Sequence, residues 1–469
     1  MIANVDMTQK KGLFKNLCIF IAPLMLTGIL QLLYTASDLI ICRLFGPENS
    51  TAAISNTNPL INLIVHSFLG IATGANVLMA RCYGANDREK GQRVVYTSMA
   101  LSVVLGIALG IFGAIFSRYF LVWMNTPDKV IDLSNQYLAI YFIGVPFTMI
   151  YNFGAALLRA IGDTKKPFIF LTSSGIINVL LNMLFVIVFR LGVAGVAICT
   201  SISQFCAATM VVTYIWWKKG GFFRFRFKEI RFYKKETFEI TKIGLPAGIQ
   251  GMIFSLSNLL IQSSINSLGV DVMNGNGASS SLEGFVYTAM NSCAQGALTF
   301  ASANYGAKNK KNISATIRYS LLLVVAMWLL FSSVILIFRT QLLGLYVNTE
   351  EAISAGLERT IVVLSPYFVC GFMETFAYSL RAIGYSILPT VVSALGACGF
   401  RLLWIFFIFP IPYFHNLLWL AISYPISWAL TASVHFILFM ILFKKLKFKE
   451  EQLRPNAPAE ENLCTSEEF

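Results

Sequence analysis

The chain has 469 residues, of which 56% are hydrophobic, 14% aromatic and 13% charged, about half the roughly 25% charge usual in soluble domains. Apolar blocks long enough to cross a bilayer recur throughout, too many for globular cores, which excludes an ordinary cytosolic enzyme and marks an all-α polytopic membrane protein. The net charge of +13 raises nucleic-acid binding as an alternative until its distribution is examined.

In chain order, apolar blocks between charge and turn clusters predict twelve transmembrane helices, beginning near residues 17, 52, 94, 134, 168, 192, 243, 279, 318, 359, 386 and 416, each about 20 to 27 residues long. The first block contains Pro23 and Asp38 and is followed by no small-residue cleavage pattern, so it reads as helix one rather than a removable signal peptide. This gives an N-lobe at 1–217 with helices one to six, a basic linker at 218–242, a C-lobe at 243–446 with helices seven to twelve, and a polar tail at 447–469.

Twelve spans put both ends on one side, and the basic residues say which. Of the 36 Lys and Arg residues, 29 fall in the termini and the even-side loops, with the densest cluster between Lys218 and Lys242. The opposite loops carry Glu48, Asp128, Asp132, Asp271, Glu350, Glu351 and Glu358. By the positive-inside rule the basic face is expected to be cytoplasmic, with both termini inside a cell membrane. The run Phe222 to Lys235 interleaves aromatics with arginines, but a basic linker at a headgroup surface accounts for it better than an RNA-binding stripe, and no nucleic-acid partner is expected.

Chemistry-bearing motifs are sparse. The nine cysteines are scattered singly, which indicates neither a disulfide framework nor a zinc site. His66, His415 and His435 are isolated, no Asp-rich metal box appears, and no short Gly spacing carries a P-loop Lys-Ser/Thr. No catalytic residue, cofactor or ATP-driven mechanism is expected.

Comparing the halves is more informative. Leu158-Arg159-Ala160-Ile161-Gly162, followed by Pro167, recurs as Leu380-Arg381-Ala382-Ile383-Gly384, followed by Pro389, at an offset of 222. The same offset carries Tyr83-Gly84-Ala85 onto Tyr305-Gly306-Ala307, and an offset of 223 carries Pro23 onto Pro246, Gly46 onto Gly269 and Asn125-Thr126 onto Asn348-Thr349. Six helices per half is an even number, so the halves enter the membrane in the same sense: a parallel repeat about an axis along the bilayer normal. Two bundles that rock about a shared cleft are the architecture of a transporter.

These residues resemble the multidrug and toxic compound extrusion (MATE) transporters, over essentially the whole chain from Leu17 to about Leu446. The resemblance rests on Pro23, Tyr34 and Asp38 in helix one, the Tyr-Gly-Ala turn, the Leu-Arg-Ala-Ile-Gly repeats, Asp163-Thr164, Asn178 and Asn182 in helix five, and the stretch Gly192 to Ala197 opening helix six. The helix-eight stretch Leu282 to Tyr287, which ends in Asn304-Tyr305-Gly306-Ala307, is similar to the prokaryotic DinF-like and MepA-like branch. It implies antiport: organic, often cationic compounds leave the cell in exchange for H+ or Na+, with the lipid bilayer as the other partner and a monomer as the working unit.

Within the spans three carboxylates remain, Asp38, Glu283 and Glu374, and an acid in hydrocarbon normally faces a cavity or a partner. Asp38 sits deep in helix one with Tyr34 one turn earlier on the same face. The resemblance places the coupling aspartate here. Asn178, Asn182 and Thr200 supply amide and hydroxyl groups able to share a proton with it or to hold Na+ beside it, with no other metal implied. Related archaeal and DinF-like chains usually have an acid at the position of Asn182, so Asp38 is the one titrating group of this cluster. Pro23 is a candidate helix-one hinge. The alternative for each polar residue is interhelical hydrogen bonding.

In the second half, Glu283 follows a Gly- and Ser-rich entry, which puts it near the outer surface or in the cleft. Glu374 is deeper and is a candidate second coupling or substrate-anchoring group, with Asn291, Gln262 or Tyr378 as partners. The helix-seven and helix-ten acids of sodium-coupled NorM-like relatives correspond to Phe254 or Ser255 and to Cys370, so that branch's sodium site is not intact. Arg401 reads as the lone buried cation and pairs most simply with Glu374 or Glu283. Two other functions compete: a flippase of the same superfamily for lipid-linked sugars, expected to line its cleft with several cations, and a membrane-embedded transferase, expected to work without an ion gradient.

Overall fold

The computed structural model describes residues 5–9, 11–47, 50–124, 126–217, 222, 226 and 229–448. Much of the expected linker between 218 and 233 and the tail from 449 onward lie outside the described residues. The first bundle is built from α1 (Leu13–Phe45), α2 (Ser50–Gly84), α3 (Arg88–Trp123), α4 (Asp128–Ala160), α5 (Lys165–Asn182) and α6 (Gly192–Trp217). The second comprises α7 (Lys234–Asn266), α8 (Val270–Gly306), α9 (Lys310–Ile337), short α10 (Arg339–Leu343), α11 (Glu350–Leu364), α12 (Phe368–Ala382), α13 (Ile387–Ser393), α14 (Phe400–Leu403) and α15 (Leu417–Lys445).

Among the described residues ten helices are long and apolar enough to cross a membrane, and α11 with α12 forms an eleventh crossing bent by 48°. The twelfth is α8, whose 37 residues reach about 55 Å, more than a bilayer needs, although glycine, serine and asparagine dilute its apolar character. Most helices outrun the apolar blocks at one or both ends, because a helix continues through the headgroup layer where polar side chains are welcome. Two consequences are that span ten starts at Glu350 and span eight at Val270, so residues near the expected ends lie well inside.

The repeated Leu-Arg-Ala-Ile-Gly motif ends α4 and α12 in the same way. Gly162 (φ 83°) and Gly384 (φ 110°) take the left-handed conformation. Gly162 N donates to Arg159 O at 2.9 Å and Asp163 N to Leu158 O at 3.0 Å, and Gly384 N and Tyr385 N repeat the pattern onto Arg381 O and Leu380 O. This is a Schellman stop, which satisfies the helix's last carbonyls and needs glycine at its turn.

The bundles meet through α2 against α7 and α8, and α1 against α8. Gly70 and Gly248 let α2 and α7 touch backbone to backbone: a Cβ on Gly70 would lie 2.2 Å from Gly248 N. The face that carries the basic loops is closed by bonds between the halves. Arg81 Nη2 donates to Arg381 O (3.2 Å) and Ala382 O (2.9 Å), Lys90 pairs with Glu239 at 2.7 Å, and Thr299 Oγ1 donates to Asn76 Oδ1 at 3.1 Å. The chain before α1 is wedged into the same seam. Met7 is fully buried, its carbonyl accepts from Asn304 Nδ2 (2.8 Å), and that of Thr8 from Asn312 Nδ2 (2.7 Å). Toward the opposite face, α2, α3 and α7 spread apart around a cavity of about 1050 Å3, lined by Asn58, Asn62, Phe112, Met252, Asn258 and Gln262 among others.

Candidate functional site

Asp38 lies on the face of α1 that packs against α5 and α6. Asn182 Nδ2 donates to Asp38 Oδ1 at 2.5 Å and to Asn178 Oδ1 at 3.2 Å, and Asn178 Nδ2 reaches Ser203 Oγ at 3.5 Å. The Thr200 hydroxyl is in hydrogen-bonding reach of Asp38 and also returns to Val196 O at 3.0 Å. The four-residue spacing of Asn178 and Asn182 puts both on one face of α5, and both are buried. Directly after Asn182 the helix widens into a π-helical stretch, Met183–Val188, a distortion frequent at functional sites. Asn182 Oδ1 is buried without a hydrogen-bond partner, so a carboxylate oxygen, an amide oxygen and a hydroxyl oxygen share this cluster with unused accepting capacity.

Of the remaining N-lobe candidates, Tyr34 packs on the same helix as the two asparagines and Pro23 lies farther along α1. Tyr34 lies across Gly175, where a Cβ would fall 1.8 Å from Tyr34 Cζ, and its hydroxyl donates to Thr172 O at 3.3 Å. Pro23 is buried and α1 runs continuously through it; Thr27 Oγ1 donates to its carbonyl at 2.7 Å. Tyr137 on α4, which the sequence did not single out, is close enough for the charge of Asp38 to act on it and is stacked on Tyr141 with ring centroids 6.2 Å apart.

In the second bundle the geometry corrects two expectations. Glu283 is buried, and its carboxylate is clasped bidentately by Arg359, Nε to Oε1 at 3.0 Å and Nη2 to Oε2 at 2.9 Å. Ser279 Oγ also donates to Glu283 Oε1 at 3.1 Å. Glu283 is therefore neither a surface acid nor a partner of Arg401. Arg359 escaped notice because the apolar block starts at it, whereas helix α11 has begun nine residues earlier.

Arg401 is not the lone buried cation: Arg359 and Arg381 are buried too. It pairs with neither acid. Its Nε donates to Ser427 Oγ at 2.9 Å, its guanidinium lies 4.2 Å from the Tyr424 ring centre and 5.6 Å from that of Trp428, and its Nη2 has no hydrogen-bond partner. Aromatic faces hold a cation without neutralising it. Tyr424 also meets Arg359, at 5.0 Å, and so separates the two guanidiniums.

Glu374 is buried beside Tyr378, Tyr287 and Cys370, and among the described residues its carboxylate receives no hydrogen bond. Of its three expected partners, Tyr378 is adjacent. Asn291 stands one step removed, donating to Tyr287 Oη at 2.9 Å and bonded with Tyr378. Gln262 is elsewhere: its Nε2 donates to Asn266 Oδ1 (2.9 Å), its Oε1 accepts from Asn276 (3.3 Å), and it lines the cavity at the spread end of the bundles. Among the described residues, no group of three or more His, Cys, Asp or Glu could hold a metal ion.

A comparison with known families matches the MatE model over residues 23–184 and 246–407, one stretch in each bundle. The probable multidrug resistance protein YoeA of Bacillus subtilis is 28% identical, covering 84% of this chain and 87% of its own. YpnP of the same organism, also a probable multidrug resistance protein, is 32% identical over 75% of this chain and 78% of its own. The multidrug export protein MepA of Staphylococcus aureus is 22% identical over 82% and 85%. Among solved structures, an outward-facing multidrug resistance MATE transporter of the MOP superfamily superposes with a TM-score of 0.86 at 18% identity, covering 94% of this chain and 99% of that one. A MOP superfamily transporter from Pyrococcus furiosus gives 0.85 at 18% identity, over 94% and 100%. With two six-helix bundles in parallel repeat, and with more than half its length matched by the family model, the chain belongs to the MATE family of membrane transporters.

Proposed function

We propose that this chain is a multidrug efflux antiporter of the cell membrane, exporting organic and often cationic compounds in exchange for H+ or Na+ by alternating access. The basic face and both termini are cytoplasmic on this reading, and the structure is then closed toward the cytoplasm and spread toward the outside. The observation that carries the proposal is the Asp38 cluster: one carboxylate sheltered among Asn182, Asn178 and Thr200, with no Lys or Arg bound to it among the described residues. Such an acid changes state by taking up a proton or a cation, and the unpartnered Asn182 Oδ1 adds an oxygen suited to Na+. YoeA, YpnP and MepA are named for multidrug resistance or export, which supports the substrate class.

The test is efflux of a fluorescent organic cation from vesicles under imposed pH or sodium gradients, each collapsed in turn. Transport that ignores both gradients overturns the proposal, and the gradient that matters identifies the ion. One observation favours a second reading, flipping of a lipid-linked sugar phosphate: among the described residues Arg401 is a buried cation without an acidic partner, and Arg359 stands across Tyr424 from it. Gradient-independent translocation of a fluorescent polyprenyl-phosphate sugar would establish that reading in place of antiport.

A further inference from the structure

His435 lies within α15, fully buried, and faces two other elements of the second bundle. Its Nδ1 is 3.2 Å from Met373 O on α12, and its Nε2 is 3.2 Å from Pro389 O on α13. A backbone carbonyl only accepts hydrogen bonds, and a neutral imidazole has one N–H. In either neutral tautomer one bare ring nitrogen therefore points its lone pair at a carbonyl oxygen, where no solvent screens the clash. The imidazolium alone donates to both. Burial opposes that charge, so two well-aimed carbonyls on separate helices are what would hold it, and parting those helices would remove one of them.

We propose that His435 is a proton-binding site of the second bundle, occupied in the conformation described here and emptied when α12 and α13 shift relative to α15. The site is distinct from Asp38 and does not require the antiport reading to be right. Its acceptors are well placed for coupling. Met373 precedes Glu374, so the proton on His435 fixes the turn of α12 that presents that acid. Pro389 stands shortly before the π-helical stretch Ala394–Gly399, which leads into Arg401. Among the charged and titratable groups on the elements around α15, Arg381 of α12 is the one whose field reaches the ring, opposing the added charge. Arg381 Nη2 is itself bound to Gln250 Oε1. Of the rest, Arg359 of α11 is engaged by Glu283, Arg401 of α14 faces Tyr424, Cys398 lies in the π-helical stretch, and Glu374, Cys370 and Tyr378 of α12 surround one another.

The chain has three histidines, so the proton can be read directly. The double variant His66→Gln/His415→Gln leaves His435 as the one histidine and needs no change at the site. Zero-length carbodiimide coupling of the Lys90 ammonium to the Glu239 carboxylate, 2.7 Å apart, locks the basic face closed. Nitrogen NMR of 15N-histidine in that protein, in nanodiscs at about pH 8, above the ordinary histidine range near 6.5, is expected to show two protonated ring nitrogens. A single protonated nitrogen, held from about pH 8 down to about pH 5, overturns the proposal. As a second measurement, His435→Gln and His435→Asn each keep one amide donor. In either variant, flux against pH should lose the steepness of one titrating proton, up to about tenfold per pH unit, and an unchanged profile in a folded variant also overturns it. Loss of coupling in Asp38→Asn leaves the NMR result standing, so the two readings fail separately.

Discussion

The two bundles repeat one fold, yet Asp38 of the first and Glu283 of the second are held in opposite ways. Asp38 is held by the neutral amide of Asn182 and the Thr200 hydroxyl, whereas Glu283 is locked by two nitrogens of Arg359 and a serine. A carboxylate met by neutral donors keeps the option of binding a proton or a cation. One clasped by a buried guanidinium is committed to its charge, because releasing it would strand the arginine. An acid within a membrane is thus free or committed according to its partner, and Glu374, with no cation bound to its carboxylate among the described residues, stands with Asp38 in this respect although it belongs to the other bundle.

Experiments that break the contrast run from large effects to small. Asp38→Asn should lower gradient-driven efflux by about a hundredfold while substrate still binds, read by vesicle transport alongside a binding assay; full retention would remove the distinction between the acids. Glu283→Gln should leave Arg359 buried and unpaired, costing about 3 to 5 kcal/mol, seen as a fall in thermal stability. Pairing it with Arg359→Met should recover most of that loss, because the pair is then absent on both sides. Gly248→Ala would place a Cβ 1.9 Å from Ser67 O and force α2 from α7 at a cost of about 1 to 3 kcal/mol. Carbodiimide cross-linking of Lys90 to Glu239 should drop accordingly. Glu374→Gln should weaken binding of a cationic substrate by roughly fivefold, about 1 kcal/mol, with no comparable loss for a neutral one. The Lys90 to Glu239 pair is partly exposed, so Glu239→Gln should change stability by less than about 1 kcal/mol, and less still at high salt.

How far the sequence reached follows from the kind of signal each feature leaves. The spans and the parallel repeat are periodic or duplicated, and both are written along the chain. The cluster around Asp38 is legible because a lone acid in an apolar block is conspicuous and two asparagines one turn apart share a face. Arg359 was hidden by the convention that a span starts where apolar residues start: the helix begins at Glu350, so a residue at the expected edge of the span lies among buried side chains. Arg401 was visible, but its environment was not, since aromatic rings arriving from α15 leave no signal on α14. Gln262 faces the wrong end of the molecule because a one-dimensional list of polar residues carries no depth. His435 read as isolated for a similar reason: its partners are backbone carbonyls, which every residue has and no sequence pattern advertises.

The segment before α1 is bonded to both bundles, so it cannot follow one without breaking links to the other. Asn304 and Asn312 grip its carbonyls at 2.8 and 2.7 Å, while Val5 N meets Gly162 O at 3.4 Å. On its own side Asn16 Nδ2 of α1 donates to Asp6 O at 2.8 Å. The segment leading into helix one is thus a tether between the bundles, and its slack limits how wide the basic mouth can open.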